Sequence, residues 1–184
     1  MARIDKSRPF LAVNIAVLTV SDTRTEATDT SGKLLADSVR EAGHQVSDQQ
    51  ISLDDVYKIR AIVSAWIAAP NVEAVLITGG TGFSGRDTTP EAVQPLFDKN
   101  IEGFGELFRQ ISYNEIGTST IQSRAVGGLA NNTVIFCMPG STNACRTAWN
   151  GIIQQQLDST HKPCNYVKLI TGQRSTAEAC ESRG

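Results

Sequence analysis

A chain of 184 residues, 40% hydrophobic and only 6% aromatic, has apolar material for one domain with a mainly aliphatic core. A formal net charge of −2 leaves no basic field, which argues against nucleic acid as a partner. Four cysteines without a CxxC pair, and two histidines (His44, His161) far apart in sequence, argue against structural zinc and suit free thiols in the cytoplasm.

Residues 1–9 read as an N-terminal arm. Its Arg3, Lys6 and Arg8 precede an apolar run from Phe10 to Val20 and so imitate a signal peptide, but Asn14 interrupts the run and no small-residue cleavage site follows. The run is too short to cross a bilayer as a helix, and Val13–Val20 reads as a buried strand. Ser31–Ala42 reads as a helix with Leu35, Val39 and Ala42 on one face and Gly43 ending it. Gln45–Ile51 is a weaker strand. Val56, Ile59, Ile62, Val63, Trp66 and Ile67 then recur at helical spacing until Pro70.

Glu73–Thr78 is a short continuous apolar run, as expected of a central strand. A Gly-rich loop follows, and a helix opens near Pro90. Phe104, Leu107, Phe108 and Ile111 predict a further helix ending before Gly117. Thr133–Met138 reads as a strand, and Ala144, Ala148, Trp149, Ile152 and Ile153 mark a last long helix. Residues 10–168 form the expected domain and 169–184 a polar tail. Alternating strands and helices predict a three-layer α/β/α sandwich around a mostly parallel sheet. Ligands of such sheets bind beyond the carboxyl ends of the strands. Three strand exits carry small polar residues: Ser21-Asp22-Thr23, Gly79-Gly80-Thr81-Gly82 and Pro139-Gly140-Ser141.

The stretch from Thr78 to Glu91, TGGTGFSGRDTTPE, holds the densest chemistry. Closely spaced glycines can turn several amides toward one anion. Gly80 to Gly85 has the spacing of a P-loop, but Arg86-Asp87 stand where Lys and Ser/Thr belong, and no GxGxxG is present. A tight turn into a helix, with Thr88 or Thr89 as N-cap and Pro90 in the first turn, explains Thr88–Glu91. It leaves Gly79–Asp87 to function, and a Cβ at Gly80 is expected to crowd bound phosphates. Asp54 and Asp55 open the second helix either as caps or as carboxylates that share Mg2+ with Asp87. Arg124 either pairs with phosphate or forms a surface ion pair. Cys137, inside a strand, reads as packing, and His44 as a surface residue.

Together these strings resemble the family of the molybdenum cofactor biosynthesis protein B and the molybdopterin adenylyltransferases. The resemblance rests on VLTVSDTR (17–24), DTSG (29–32), LITGGTGFSGRDTTPEA (76–92), GFGELFR (103–109), IGTSTIQSRAVGG (116–128) and MPGSTNACRTAW (138–149). It implies binding of molybdopterin and nucleotide, assembly as trimers or hexamers, and adenylylation of the pterin phosphate by Mg-ATP with release of pyrophosphate. By position it implies Asp54 and Asp87 as catalytic carboxylates and Mg2+ ligands, and Thr78 and Gly79–Gly82 as the phosphate cradle with Arg86 beside it. Ser123 and Arg124 would lie at the pterin, with Ser21, Asp22, Pro139, Gly140 and Ser141 as further walls. The strings around GFGELFR and SRAVGG lie nearer the B-protein branch, some members of which bind without catalysing. A carrier of molybdopterin or nucleotide is therefore the alternative function.

Overall fold

A computed structural model describes residues 3–172. Its main sheet has six strands: β2 (Asn14–Val20), β3 (Gln45–Ser52), β4 (Ala74–Thr78), β5 (Lys99–Asn100), β6 (Val126–Ala130) and β7 (Thr133–Met138), in the order β3-β2-β4-β7-β6-β5. The first four in that order run parallel; at one edge β6 runs antiparallel to β7, and β5 antiparallel to β6. A separate two-stranded ribbon pairs β1 (Arg3–Ile4) with β8 (His161–Lys162) and ties the N-terminal arm down.

The central strands β2, β4 and β7 are mostly apolar and buried at almost every position because both faces are covered. Alternation of side chains divides them between two cores. Ile15, Val17, Leu76, Phe136 and Met138 pack under α1 (Thr30–Glu41), α4 (Glu102–Ile116) and α5 (Thr142–Ala148). Ala16, Leu18, Val75, Ile77 and Cys137 pack under α2 (Val56–Ala68) and α3 (Thr89–Val93). The expected three-layer α/β/α architecture is what forms.

Several local features went beyond the pattern. The expected last helix is α5 followed by a π-helical turn (Trp149–Ile153) and α6 (Gln154–Gln156). The glycine-containing stretch after Arg124 is strand β6, joined to β7 by a two-residue hairpin in which Asn131 (φ 47°) and Asn132 (φ 63°) are left-handed. Helix α7 (Val167–Gly172) carries the fully buried Ile170, so the packed chain passes residue 168; the rest of the expected tail, with Cys180, lies outside the described residues. His44, expected at the surface, is only 5% exposed: Phe10 covers its ring and its Nδ1 accepts from Val13 N. Cys137 and Cys145 are buried free thiols and Cys164 an exposed one.

The topology locates the crevice. From β2 the chain moves to one neighbour, β3, through α1 on one face. It then returns past β2 to β4 through α2 on the other face. The order therefore reverses between β2 and β4, and loops leaving that pair of strands diverge to opposite faces.

Candidate functional site

At that reversal lies a cleft of about 430 Å3. Its floor is made by the ends of β2 (Thr19, Val20, Ser21) and β4 (Thr78), by Gly79–Gly82, and by Pro139-Gly140 after β7. Asp87 and Ser123 reach it from the sides. Residues from all three strand exits thus meet in one place, Ser21 from the first, Gly79–Gly82 from the second and Pro139-Gly140 from the third. Two further walls were not expected: Arg24, Asp29 and Ser31 around the start of α1, and Ile116, Ser119 and Gln122 from the end of α4 and the 3-10 turn after it (Gly117–Gln122). All lie in strings of the sequence already singled out, Arg24 in VLTVSDTR, Asp29 and Ser31 in DTSG, and the rest in IGTSTIQS; their inward facing needed the fold.

The loop after β4 is shaped by what holds its carbonyls. Gly79 (φ +102°) and Gly80 (φ +63°) turn left-handed, which only glycine does without strain. Buried Thr89 donates from Oγ1 to Gly79 O at 2.9 Å and from its amide to Gly80 O at 2.9 Å. In a trans-planar peptide the N–H points opposite its carbonyl. The amides of Gly80 and Thr81 are therefore turned away from Thr89, and they donate to no acceptor among the described residues. Two unpaired adjacent amides at a cleft form an anion site. The expectation that a Cβ at Gly80 would crowd a ligand is corrected: it would meet Thr89 Oγ1 at 2.3 Å and Asp54 Oδ2 at 2.6 Å, on the packed side of the loop.

Asp87 lies at the cleft with its Oδ2 accepting from Ser84 N at 2.8 Å. Hydrogen bonds from Ser84 and from the Gly82 amide, with the charge of Arg124, outweigh burial and hold its carboxyl below the ordinary value. It is ionised at neutral pH. Ser123 Oγ is buried and has no hydrogen-bond partner. An orphaned hydroxyl costs about 1–3 kcal/mol, so one facing a cleft marks a place for a polar ligand atom.

Six of the residues expected at the site, Asp22, Asp54, Asp55, Arg86, Arg124 and Ser141, do not line the cleft. Asp54, 7% exposed, is engaged by Thr88, whose amide and hydroxyl both donate to Oδ1 at 2.9 and 2.6 Å, capping α3 from a distant loop. Asp55 caps α2 through the amides of Tyr57 and Lys58. Arg86 makes a two-point ion pair with Asp22 (2.9 and 2.7 Å) that laces the loop to the exit of β2. Ser141 caps α5 through the Ala144 amide. Arg124 lines a second groove, where its nitrogens meet backbone carbonyls and Glu91. Thr78 Oγ1 donates to Pro139 O beneath the floor. Cys145 Sγ lies 3.0 Å from that hydroxyl, with burial pushing the thiol up to about 11, so it is no nucleophile at neutral pH.

A family described as "Probable molybdopterin binding domain" matches residues 16–159, and this span contains every wall of the cleft. The chain belongs to that family. Among curated relatives, the molybdenum cofactor biosynthesis protein B of Escherichia coli is 59% identical over 160 residues, covering 87% of this chain and 94% of that protein. The protein of the same name from Bacillus cereus is 50% identical over 146 residues, covering 79% and 86%. A crystal structure of a molybdenum cofactor biosynthesis protein B superposes with a TM-score of 0.79 at 48% identity, over 82% of this chain and 94% of that one. Relatives and fold thus agree with the family that the sequence strings resemble.

For a divalent cation the donor chemistry fits. Asp87 presents carboxylate oxygens at the cleft, and Mg2+ commonly takes one or two carboxylates together with substrate phosphate oxygens. No group of three or more His, Cys, Asp or Glu able to hold a metal occurs among the described residues. No helix among them is long and apolar enough to cross a membrane.

Proposed function

We propose that this chain acts in molybdenum cofactor biosynthesis by adenylylating molybdopterin. The observation that carries this reading is the meeting, over one cleft, of unpaired Gly80 and Thr81 amides, the Asp87 carboxylate and the orphaned Ser123 hydroxyl. In the proposed reaction a pterin phosphate oxygen attacks the α-phosphorus of ATP. The bond between the α-phosphorus and its bridging oxygen breaks, and pyrophosphate leaves with that electron pair. The chain's part is positioning and charge placement. The two amides hold ATP phosphate oxygens, Ser123 donates to the pterin phosphate, and Asp87 orients the cation-bound phosphates. Asp87 would hold Mg2+, with Asp54 packed behind Gly80 as the second carboxylate of the loop, and the ion would neutralise phosphate charge when bound. Thr78, Gly79, Gly82, Ser21, Pro139 and Gly140 give the cleft its shape.

Pyrophosphate release from Mg-ATP that depends on molybdopterin is the expected behaviour of the wild type. Asp87→Ala is expected to lower it about 100-fold or more, as loss of a transition-state electrostatic group does, with an unchanged circular dichroism spectrum. Wild-type turnover in that variant would remove the catalytic assignment.

One observation favours a second reading. Asp54 is engaged as a cap and does not line the cleft, as suits a protein that binds molybdopterin or nucleotide without turning it over. Tight pterin binding without pyrophosphate release would decide for it. We also propose a cytoplasmic homo-oligomer, trimer or hexamer: Tyr113 and Ile116 at the end of α4 and Ile121 in the 3-10 turn after it stand more than half exposed. Light scattering that gives a monomer mass at micromolar concentration would overturn that.

A further inference from the structure

We propose that Arg124 is a positioning residue that fixes the Asp87 carboxylate at the cleft from behind, without touching substrate. The proposal deepens the adenylylation reading and rests on it for its kinetic consequences.

Every nitrogen of the guanidinium has a partner in the loop or in the helix that follows it. Nε donates to Gly82 O at 2.8 Å and more weakly to Thr81 O at 3.3 Å, Nη2 donates to Asp87 O at 2.8 Å, and Nη1 pairs with Glu91. The plane also lies over the Phe83 ring, 5.2 Å from its centroid. Arg124 faces the groove formed with Gln94, Gly105 and Arg109, while the cleft lies on the other side of the loop.

Peptide planarity carries this grip across the loop. Where Arg124 holds Thr81 O, the N–H of the same peptide belongs to Gly82, which leans on the Asp87 carboxylate. Where it holds Asp87 O, the N–H of that peptide belongs to Thr88, which donates to Asp54 Oδ1 at 2.9 Å. Arg124 thus holds the peptides before and after the Ser84–Asp87 turn, the first through both its amide and Nε on Thr81 O (3.3 Å each) and the second through Nη2 alone, and each peptide contacts one of the two carboxylates. A rigid fork can hold two carbonyls and a carboxylate at once; the ammonium of lysine is a single point.

The test combines kinetics with amide hydrogen exchange on Arg124→Lys, Arg124→Gln, Asp87→Asn and the Arg124→Gln/Asp87→Asn pair. Both single Arg124 variants are expected to lose about 100-fold in kcat, the scale of a misplacement near 1 Å. In the Asp87→Asn background Arg124→Gln is expected to cost less than about twofold more, because groups that act through one another are not additive. Wild-type turnover with lysine, or a full additive loss in the double variant, would mean that Arg124 meets substrate directly. Independently of turnover, the Ser84 and Thr88 amides are expected to exchange about tenfold faster in both Arg124 variants while β2 and β7 amides stay protected. Unchanged exchange at Ser84 and Thr88 overturns the proposal even if the wild type proves not to be an adenylyltransferase. Accelerated exchange without wild-type turnover would retain the proposal and remove only the adenylylation reading.

Discussion

Thr89 shows how much of the site is set by one hydroxyl. The residue is fully buried, its amide and Oγ1 hold two successive carbonyls, and the amides turned outward as a result are the ones without partners. Valine has the same shape but no hydroxyl, so Thr89→Val is expected to leave Gly79 O without its donor at a cost of about 1–3 kcal/mol. ATP affinity should fall with it, since the Gly80 amide is then free to rotate; unchanged affinity by calorimetry would separate the cradle from Thr89. At this scale the sequence named the loop and missed its supports. A threonine before Pro90 is read as a cap by its neighbours in sequence, whereas its actual partners, Gly79 and Gly80, are fixed by the turn of the loop.

Among elements, the hairpin between β6 and β7 is the clearest case of a local signal outweighed by composition. Val126–Ala130 carries two glycines and no strong apolar alternation, so it does not announce a strand. Asn131-Asn132 is the signal that marks it, because asparagine tolerates the left-handed region that a two-residue hairpin demands. Asn131 is also tied to Ile67 O and Asp98, which leaves Asn132 as the cleaner probe of the turn. Asn132→Gly is expected to keep or slightly raise stability, and Asn132→Val to lower it by about 1–2 kcal/mol, because a β-branched side chain is strained in the left-handed region and lacks the local hydrogen bonds through which asparagine offsets that strain. Urea denaturation of the two variants checks both signs. The helices, by contrast, were legible because their apolar periods and stop signals are local: α2 ends at Ala68, just before Pro70.

Over the whole molecule, stability is expected to fall on acidification in two stages. Burial holds the folded-state value of His44 below its ordinary one, with the charge of Asp158 opposing only in part. Phe10 lies on its ring and Val13 N donates to its Nδ1, so the neutral form belongs to the fold. The unfolded chain takes up that proton first, and the contribution of His44 is lost as pH falls below about 6.5. Asp87, Asp22 and Glu91 are held below their ordinary values by Ser84, Arg86 and Arg124 respectively. Their contributions are present at neutral pH and go in a second stage, below about 4. Urea midpoints between pH 7.5 and 5.5 should fall in the wild type and stay flat in His44→Asn; a flat wild-type profile would refute the role given to His44.

The sequence by itself determined the layered α/β class, the family and the loops of the cleft, because each rests on a local record: apolar period, glycine spacing, and strings continuous in the chain. It also placed Asp87 in the loop that reaches the cleft. Tertiary structure alone decided which polar groups face a ligand and which are used up holding the loop. Asp54 caps α3 across 34 positions, Arg86 pairs with Asp22 across 64, and Arg124 reaches Gly82 across 42. Contacts at such separations are set by the crossing of strands and helices, and a charged side chain carries the same letter in sequence whether it meets a phosphate or a backbone carbonyl.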